Sequence, residues 1–235
     1  MAVTPDVFFK FPRTPHLWWP LDRPPNDDRV IDPSLVREFL SGDVVVEEKV
    51  DGANVGFSLG ADGTIRIQNR GSWIDRGAHP QFQPIWSWVS RHYSALTDAL
   101  KPDLILFGEW CYAVHSVRYD HLPDWFLGFD VCDKTAERFW SSSRRNGLFA
   151  RAGIQPVPSL YTGRFSLADL ISILNSEPSR LGARALEGIY IRREGPDWLE
   201  ARAKLVRPEF LNNIGEHWSS RRLERNELTG VELYK

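Results

Sequence analysis

The chain has 235 residues, 42% hydrophobic and 26% charged, which suits one large soluble globular domain and excludes wholesale disorder. Its formal net charge of -2 excludes a bulk polycation that coats nucleic acid by charge alone, while a local basic groove remains allowed. Its two cysteines, Cys111 and Cys132, form no CxxC pair and no disulfide framework, so a reducing compartment, the cytoplasm, is expected.

No apolar run approaches membrane-spanning length, and the start MAVTPDVFFKFPRTP carries prolines and charges where a signal peptide would be apolar. The stretch from Phe11 to Pro33 is proline-rich and reads as an ordered but irregular arm. Asp32-Pro33 opens a short helix, with Asp32 as cap, Pro33 at the first helical position and Gly42 beyond its end. From Asp43 the pattern turns strand-like through Val44, Val45 and Val46 into Glu47, Glu48 and Lys49. Ala53 to Leu59 is a second strand, Asp62-Gly63 a tight turn, and Thr64 to Gln68 a third strand. Gln83 to Leu100 has apolar residues at steps of three and four, which predicts a helix that Pro102 stops.

Leu104 to Trp110 and Trp125 to Val131 are short apolar runs that read as buried strands. Ser166 with Asp169 opens a further helix by a capping-box pattern. Glu187 to Arg193 and Leu199 to Arg207 form a hairpin around the turn at Glu194-Gly195-Pro196-Asp197. Phe210, Ile214 and Trp218 recur every four residues and predict a last helix, followed by a solvated basic end with Arg221, Arg222 and Arg225. The fold class is α+β, with antiparallel sheets flanked by helices in a single domain over residues 1–235. Ten tryptophans read first as core and surface packing, and only secondarily as platforms for nucleobases. Neither GxGxxG nor GxxxxGK[ST] occurs, so nucleotide chemistry here cannot use the usual phosphate-cradling loops.

Chemistry concentrates in Glu48-Lys49-Val50-Asp51-Gly52-Ala53-Asn54. Taken alone, KxDG is a surface lysine in a hairpin turn. Downstream, in order, come Asn69-Arg70-Gly71, Phe107-Gly108-Glu109-Trp110, Phe129-Asp130, Glu187-Gly188-Ile189-Tyr190-Ile191-Arg192 and Ala203-Lys204-Leu205-Val206. Each has a bland reading as a turn, an ion pair or a core aromatic. The ordered set does not arise easily by chance.

That set resembles the covalent nucleotidyltransferases, the superfamily of ATP-dependent polynucleotide ligases and mRNA capping enzymes. Within it the chain is most similar to ATP-dependent RNA ligases of the RNA ligase 2 type, and the similarity runs from about Phe8 to about Trp218. The resemblance implies an ATP-grasp-like ligase domain that uses ATP and Mg²⁺, with Mn²⁺ able to substitute. It implies that Lys49 attacks the α-phosphate and carries AMP, and that Lys204 stabilises the phosphate. Arg202 stands where the family has lysine; a guanidinium fork keeps the charge but is not a point charge. Arg70 would contact ribose or phosphate, Phe129 would stack on the purine, and Asn54 would lie near the reactive phosphate. The Glu48 backbone would face adenine. Glu187 and Glu109 would serve the metal, Glu109 also touching ribose. Asp51 and Gly52 would hold the turn.

The lysine must be unprotonated to attack, although an unperturbed lysine titrates near about 10.4. A positive field from Lys204 and Arg202, together with a bound metal and partial burial, is expected to depress that value. The implied partners are RNA ends bearing a 5′-phosphate and a 3′-hydroxyl, with a protein or domain that helps grip the strand, and a monomer is expected. A GTP-dependent capping guanylyltransferase would use the same lysine. An RNA-binding relative without activity would lack catalytic residues that are present here. A DNA ligase would need an OB-fold after Lys204, for which about thirty residues leave no room. Two glutamates could serve a glycosidase, but that leaves Lys49, Arg70 and Lys204 unexplained. The histidines, His16 and His115 among them, form no metal-ligand spacing and read as structural.

Overall fold

A computed structural model describes residues 7–22, 29–183, 185–211 and 223–230. The elements in chain order are α1 (Pro33–Phe39), β1 (Val44–Lys49), β2 (Ala53–Leu59), β3 (Ile65–Asn69), α2 (Ile85–Ala99), β4 (Leu104–Trp110) and β5 (Phe126–Asp133). Then follow β6 (Arg138–Phe139), α3 (Ser142–Ala152), β7 (Gln155–Pro156), β8 (Ser159–Gly163), α4 (Leu167–Ser176), β9 (Gly188–Glu194), β10 (Leu199–Val206) and α5 (Pro208–Leu211). The helix starts are chemical. Asp32 accepts from the Ser34 amide at 2.9 Å to cap α1, and Ser166 and Asp169 close a reciprocal capping box on α4.

Two sheets carry the fold. One runs β10-β9-β1-β8, and the other runs β3-β2-β4-β5-β6 with β7 added to β5 in parallel. Strand alternation decides which face of the first sheet is buried and how. Val44, Val46, Ile189, Ile191, Ala203 and Leu205 point one way and pack with Phe39, Leu170 and Leu174 beneath α1 and α4. On the opposite face the register places Glu47 beside Tyr190 and Tyr190 beside Lys204, so this face is polar. The second sheet sets Val55, Phe57, Leu104, Leu106 and Trp110 against Ile85, Trp88, Leu148 and Phe149 of α2 and α3. Each fully buried aliphatic or aromatic side chain contributes about 1.5–3 kcal/mol.

The inner faces of the two sheets meet over a buried charge network. Asp130 on β5 takes Arg192 Nη1 at 2.6 Å from β9 and Arg202 Nη1 at 2.7 Å from β10. Arg145 on α3 grips Glu47 of β1 and donates to the Phe129 carbonyl. Arg192 also pairs with Glu194 and donates to the Trp140 carbonyl at 3.0 Å. Three arginines thus stand against three carboxylates, and most of these groups are almost wholly out of solvent.

The sequence reading misses α3 and the strands β6, β7 and β8. The buried face of α3 is Arg145, Leu148, Phe149 and Ala152, so a charged residue opens the helical stripe and hides it. Its ends were signalled: Ser141 caps it, and Gly153 closes it in the left-handed region at φ 65°. The expected final helix is described only over Pro208–Leu211, and Ile214, Trp218, Arg221 and Arg222 lie outside the described residues. Of the expected solvated basic end, Arg225 is exposed as expected, but the segment is also anchored. Residues 223–230 lie along the loop after β4, and Asn226 is buried, donating to the Cys111 carbonyl at 2.8 Å and accepting from the Tyr119 amide at 2.8 Å.

Removing one member of the inter-sheet network strands its partner in a water-poor site. Arg145→Ala is expected to cost about 3–5 kcal/mol in urea unfolding, and the paired apolar replacement Arg145→Met with Glu47→Leu to recover most of it. An Arg145→Ala protein with unaltered stability would contradict the network's role.

Candidate active site

Lys49 is not in a hairpin turn. It ends β1 in one sheet, and after three intervening residues the chain enters β2 in the other. The link Val50-Asp51-Gly52 is therefore a bridge between sheets, and Lys49 stands at the seam. Two glycines make room there. A Cβ on Gly52 would lie 2.6 Å from the Trp110 carbonyl oxygen, so only glycine lets the bridge approach the end of β4. Gly188 sits opposite Lys49 in the β1–β9 register, and a Cβ there would lie 2.5 Å from the Leu205 oxygen and 3.2 Å from Lys49 Cδ.

The residue before Gly188 is Glu187, and its carboxylate meets the lysine with both oxygens, at 2.7 and 2.6 Å from Nζ. Asp51 braces the bridge. Its Oδ2 accepts from the Ser116 and Val117 amides, and its own amide donates to the Tyr119 hydroxyl at 2.9 Å. Glu109 lies directly across from Asn54 in the β2–β4 register. These groups open on a cleft of about 310 Å³, whose lining includes Glu48, Lys49, Asn54, Arg70, Glu109, Phe129 and Lys204.

The structure thus brings together eight of the nine residues singled out from sequence, Glu187 among them through Lys49. Arg202 is the exception. Its guanidinium turns to Asp130 and lies over Phe11 and Phe139 at 4.6 and 4.4 Å, so it does not line the cleft. Arg70 stands at the tip of a turn in which Asn69 Oδ1 accepts from the Gly71 and Ser72 amides. Glu48 is buried, with its carboxylate accepting from Ser179 Oγ at 2.6 Å and the Arg180 amide at 3.0 Å. His115 has Nε2 2.9 Å from Gln81 Oε1.

Sequence reasoning missed the arm as a cleft wall. Phe11, Pro12 and Thr14 line the cleft. The Thr14 hydroxyl is hydrogen-bonded to that of Tyr190, and Phe11 packs edge-on to Phe129 at 5.4 Å. The arm also flanks Lys204, because Leu17 donates to the Lys204 carbonyl at 2.8 Å and the Lys204 amide donates to Pro15 at 2.9 Å. The signal was present in the alternation of aromatics and prolines in FFKFPRTP, but it has no period to read.

Electrostatically the lysine departs from the sequence expectation. Burial draws the Lys49 amine down, but Glu187, Asp51 and Glu109 outweigh it and hold the ammonium above the ordinary lysine range. Arg202, one of the two cations expected to depress the Lys49 pKa, is committed to Asp130. Burial pushes Glu187 up, and the lysine opposes that. The Glu109 carboxyl is pushed up to about 8 by burial, with Asp51 and Glu187 adding to the shift against Lys49.

The residues suit a divalent cation held between protein and phosphate. Among the described residues no three His, Cys, Asp or Glu side chains form a ready cage. Mg²⁺ commonly takes only one or two carboxylates and completes its shell with water and phosphate oxygens. Glu187 and Glu109 are the carboxylates that would hold it, and the shielded Asn54 Oδ1, on the residue across from Glu109, accepts from no donor among the described residues.

The RNA ligase family model matches residues 42–206, from just before β1 to the end of β10. The chain belongs to the RNA ligase family. Its fold is that of the RNA ligase of Naegleria gruberi. A variant of that protein solved with ATP and Mn matches at TM-score 0.57 and 15% identity over 75% of this chain and 53% of that one. The same ligase with pyrophosphate matches at TM-score 0.58 and 18% identity over 75% of this chain and 52% of that one. The chain therefore spans about half the length of these structures. Among curated proteins none matches the sequence.

Glu109 generates a pH signature. In an unfolded chain it titrates near 4.5, and in the fold near 8, so the unfolded state gives up its proton first as pH rises. The stability Glu109 contributes is intact below the lower value and is lost progressively up to the higher one. Glu109→Gln removes that loss. Thermal unfolding at about pH 5 and about pH 8 should show the variant's advantage over the parent growing with pH. An advantage that is equal at both values would contradict the assignment.

Proposed function

We propose that this protein is an ATP-dependent RNA ligase that works through a lysyl-AMP on Lys49. The observation that carries the reading is the bidentate Lys49–Glu187 contact at the floor of a cleft lined by Asn54, Arg70, Glu109, Phe129 and Lys204. ATP enters as substrate. Phe129 offers a ring for the purine, the Glu48 backbone borders the base, and Glu109 lies within reach of ribose. Arg70 and Lys204 supply positive charge for the phosphates, and Asn54 offers an amide beside them.

The ammonium must lose its proton before it can attack. Glu187 holds that proton in place while its carboxylate faces the lysine. Glu187 and Glu109 would hold a divalent cation, which would supply positive charge to neutralise the phosphates and polarise the α-phosphate. Were Glu187 to turn its oxygens to that cation, the field on Lys49 would fall and burial would favour the neutral amine. The proton leaves to solvent through the open side of the cleft. Lys49 Nζ then bonds to the α-phosphorus, the bridging bond to the β-phosphate breaks, and pyrophosphate departs. AMP next passes to the 5′-phosphate of an RNA strand, freeing Lys49. Attack of a 3′-hydroxyl on that phosphate seals the strand and releases AMP. All three steps are in-line displacements, so placement and charge do most of the work.

Incubation with α-labelled ATP and Mg²⁺ should label the protein, and Lys49→Ala should reduce labelling to background while the variant stays folded. GTP should label the protein poorly, in contrast to a capping enzyme. A labelled Lys49→Ala protein would overturn the proposal, and a preference for GTP would move it to the capping class.

A further inference from the structure

Beyond the cleft, β3 and the segment that folds back on it shape a second concavity. The chain reverses at Arg70-Gly71. Ile74 then donates to the Ile67 carbonyl at 2.8 Å, and Trp73 pairs back against Gln68, so residues 72–74 extend the edge of the sheet. The turn tip, Arg70, lines the cleft. Trp73, on the return leg, lines a groove of about 560 Å³ shared with Ile65, Arg66, Arg76 and Trp86. The two sites are therefore three residues apart along one turn.

The groove's chemistry is that of a nucleobase platform rather than of a core. Trp73 is 39% exposed, held edge-on by Phe8 at 5.4 Å between ring centres. The Arg76 guanidinium lies over the Trp86 ring at 4.9 Å. The Trp86 indole N–H is shielded from solvent, yet it donates to no acceptor among the described residues. Orphaned donors of this kind cost free energy unless a ligand or water satisfies them. Arg66 and Arg76 line the groove against Asp75, and Arg70 stands at the turn tip that joins it to the cleft. Asp75 is already engaged with the Gly77 amide at 2.8 Å, and Asp62 caps Thr64 and reaches Arg66 at 3.4 Å. A phosphate chain with unstacked bases matches this combination of open ring faces and residual positive charge.

We infer that the Trp73–Trp86 groove binds a single-stranded segment of the RNA substrate, stacking a base on Trp73 and leading the strand past Arg70 into the cleft. The identity of the strand rests on the proposed ligase reading; the groove itself stands on its own geometry. The occupant is taken as nucleic acid rather than a second copy of the chain because Arg66 and Arg76 line the groove beside the two indoles, and because the same turn carries Arg70 into the cleft.

The probe is a short, fluorescein-labelled single-stranded RNA with a 5′-phosphate, followed by anisotropy against the full chain. Trp73→Ala and, separately, the surface change Arg76→Glu should each weaken binding about tenfold, in the range expected for one stacked base or one lost cation. Arg76→Glu should also flatten the dependence of log Kd on log salt by about one unit or more. Self-labelling with ATP, measured on the same samples, should persist, since neither side chain lines the cleft. Failure of labelling in the parent protein would sink the ligase reading and leave the groove to be judged on anisotropy alone. Unchanged RNA affinity in both variants would overturn the inference. So would sedimentation showing a dimer that Trp73→Ala dissociates, because the occupant would then be a second copy.

Discussion

One ion pair organises this molecule. The ammonium of Lys49, at the end of β1, and the carboxylate of Glu187, just before the neighbouring strand β9 of the same sheet, meet where the chain leaves that sheet for the other. Everything near them serves that junction. Gly188 leaves space for the lysine stem, Gly52 lets the bridge close on β4, and Asp51 pins the loop that follows. A lysine held by so close a carboxylate is stored as a cation. In the proposed reaction it would become a nucleophile only when the carboxylate found another positive partner, which would couple its reactivity to the arrival of metal and phosphate.

The pair can sit at a seam because the seam is stiff. Beneath it, Arg145, Arg192 and Arg202 from α3, β9 and β10 interlock with Glu47, Asp130 and Glu194. Burying charges is costly unless each is matched, and such networks do little for net stability compared with apolar packing. Here the network fixes the relation of two sheets whose inner faces must stay polar for the site. Arg145 and Arg192 both reach the Phe129 carbonyl, so the network also holds the backbone of the aromatic residue at the cleft.

Most of the fold was legible because most of it obeys simple periods. β1, β2, the β9–β10 hairpin and the caps of α1 and α4 follow from alternation, turn residues and Ser or Asp at helix starts. The site residues were legible as an ordered set of motifs rather than one by one. What escaped reading was long-range. No local rule says that Arg202, two residues before Lys204 on the same face of β10, spends its charge on Asp130. None says that Arg145 is the buried edge of α3, or that Asn226 closes over the loop after β4. The partner that holds the lysine as a cation escaped reading for the same reason, because Glu187 comes to Lys49 from 138 residues away.

The most direct measurement is an NMR titration of the Lys49 amine in protein labelled with ¹⁵N-lysine, without and with Mg²⁺ and a non-hydrolysable ATP analogue. The account predicts a value above the ordinary lysine range in the protein alone, and a marked fall when metal and nucleotide are added. An ordinary value in both states, or no change on addition, would contradict it.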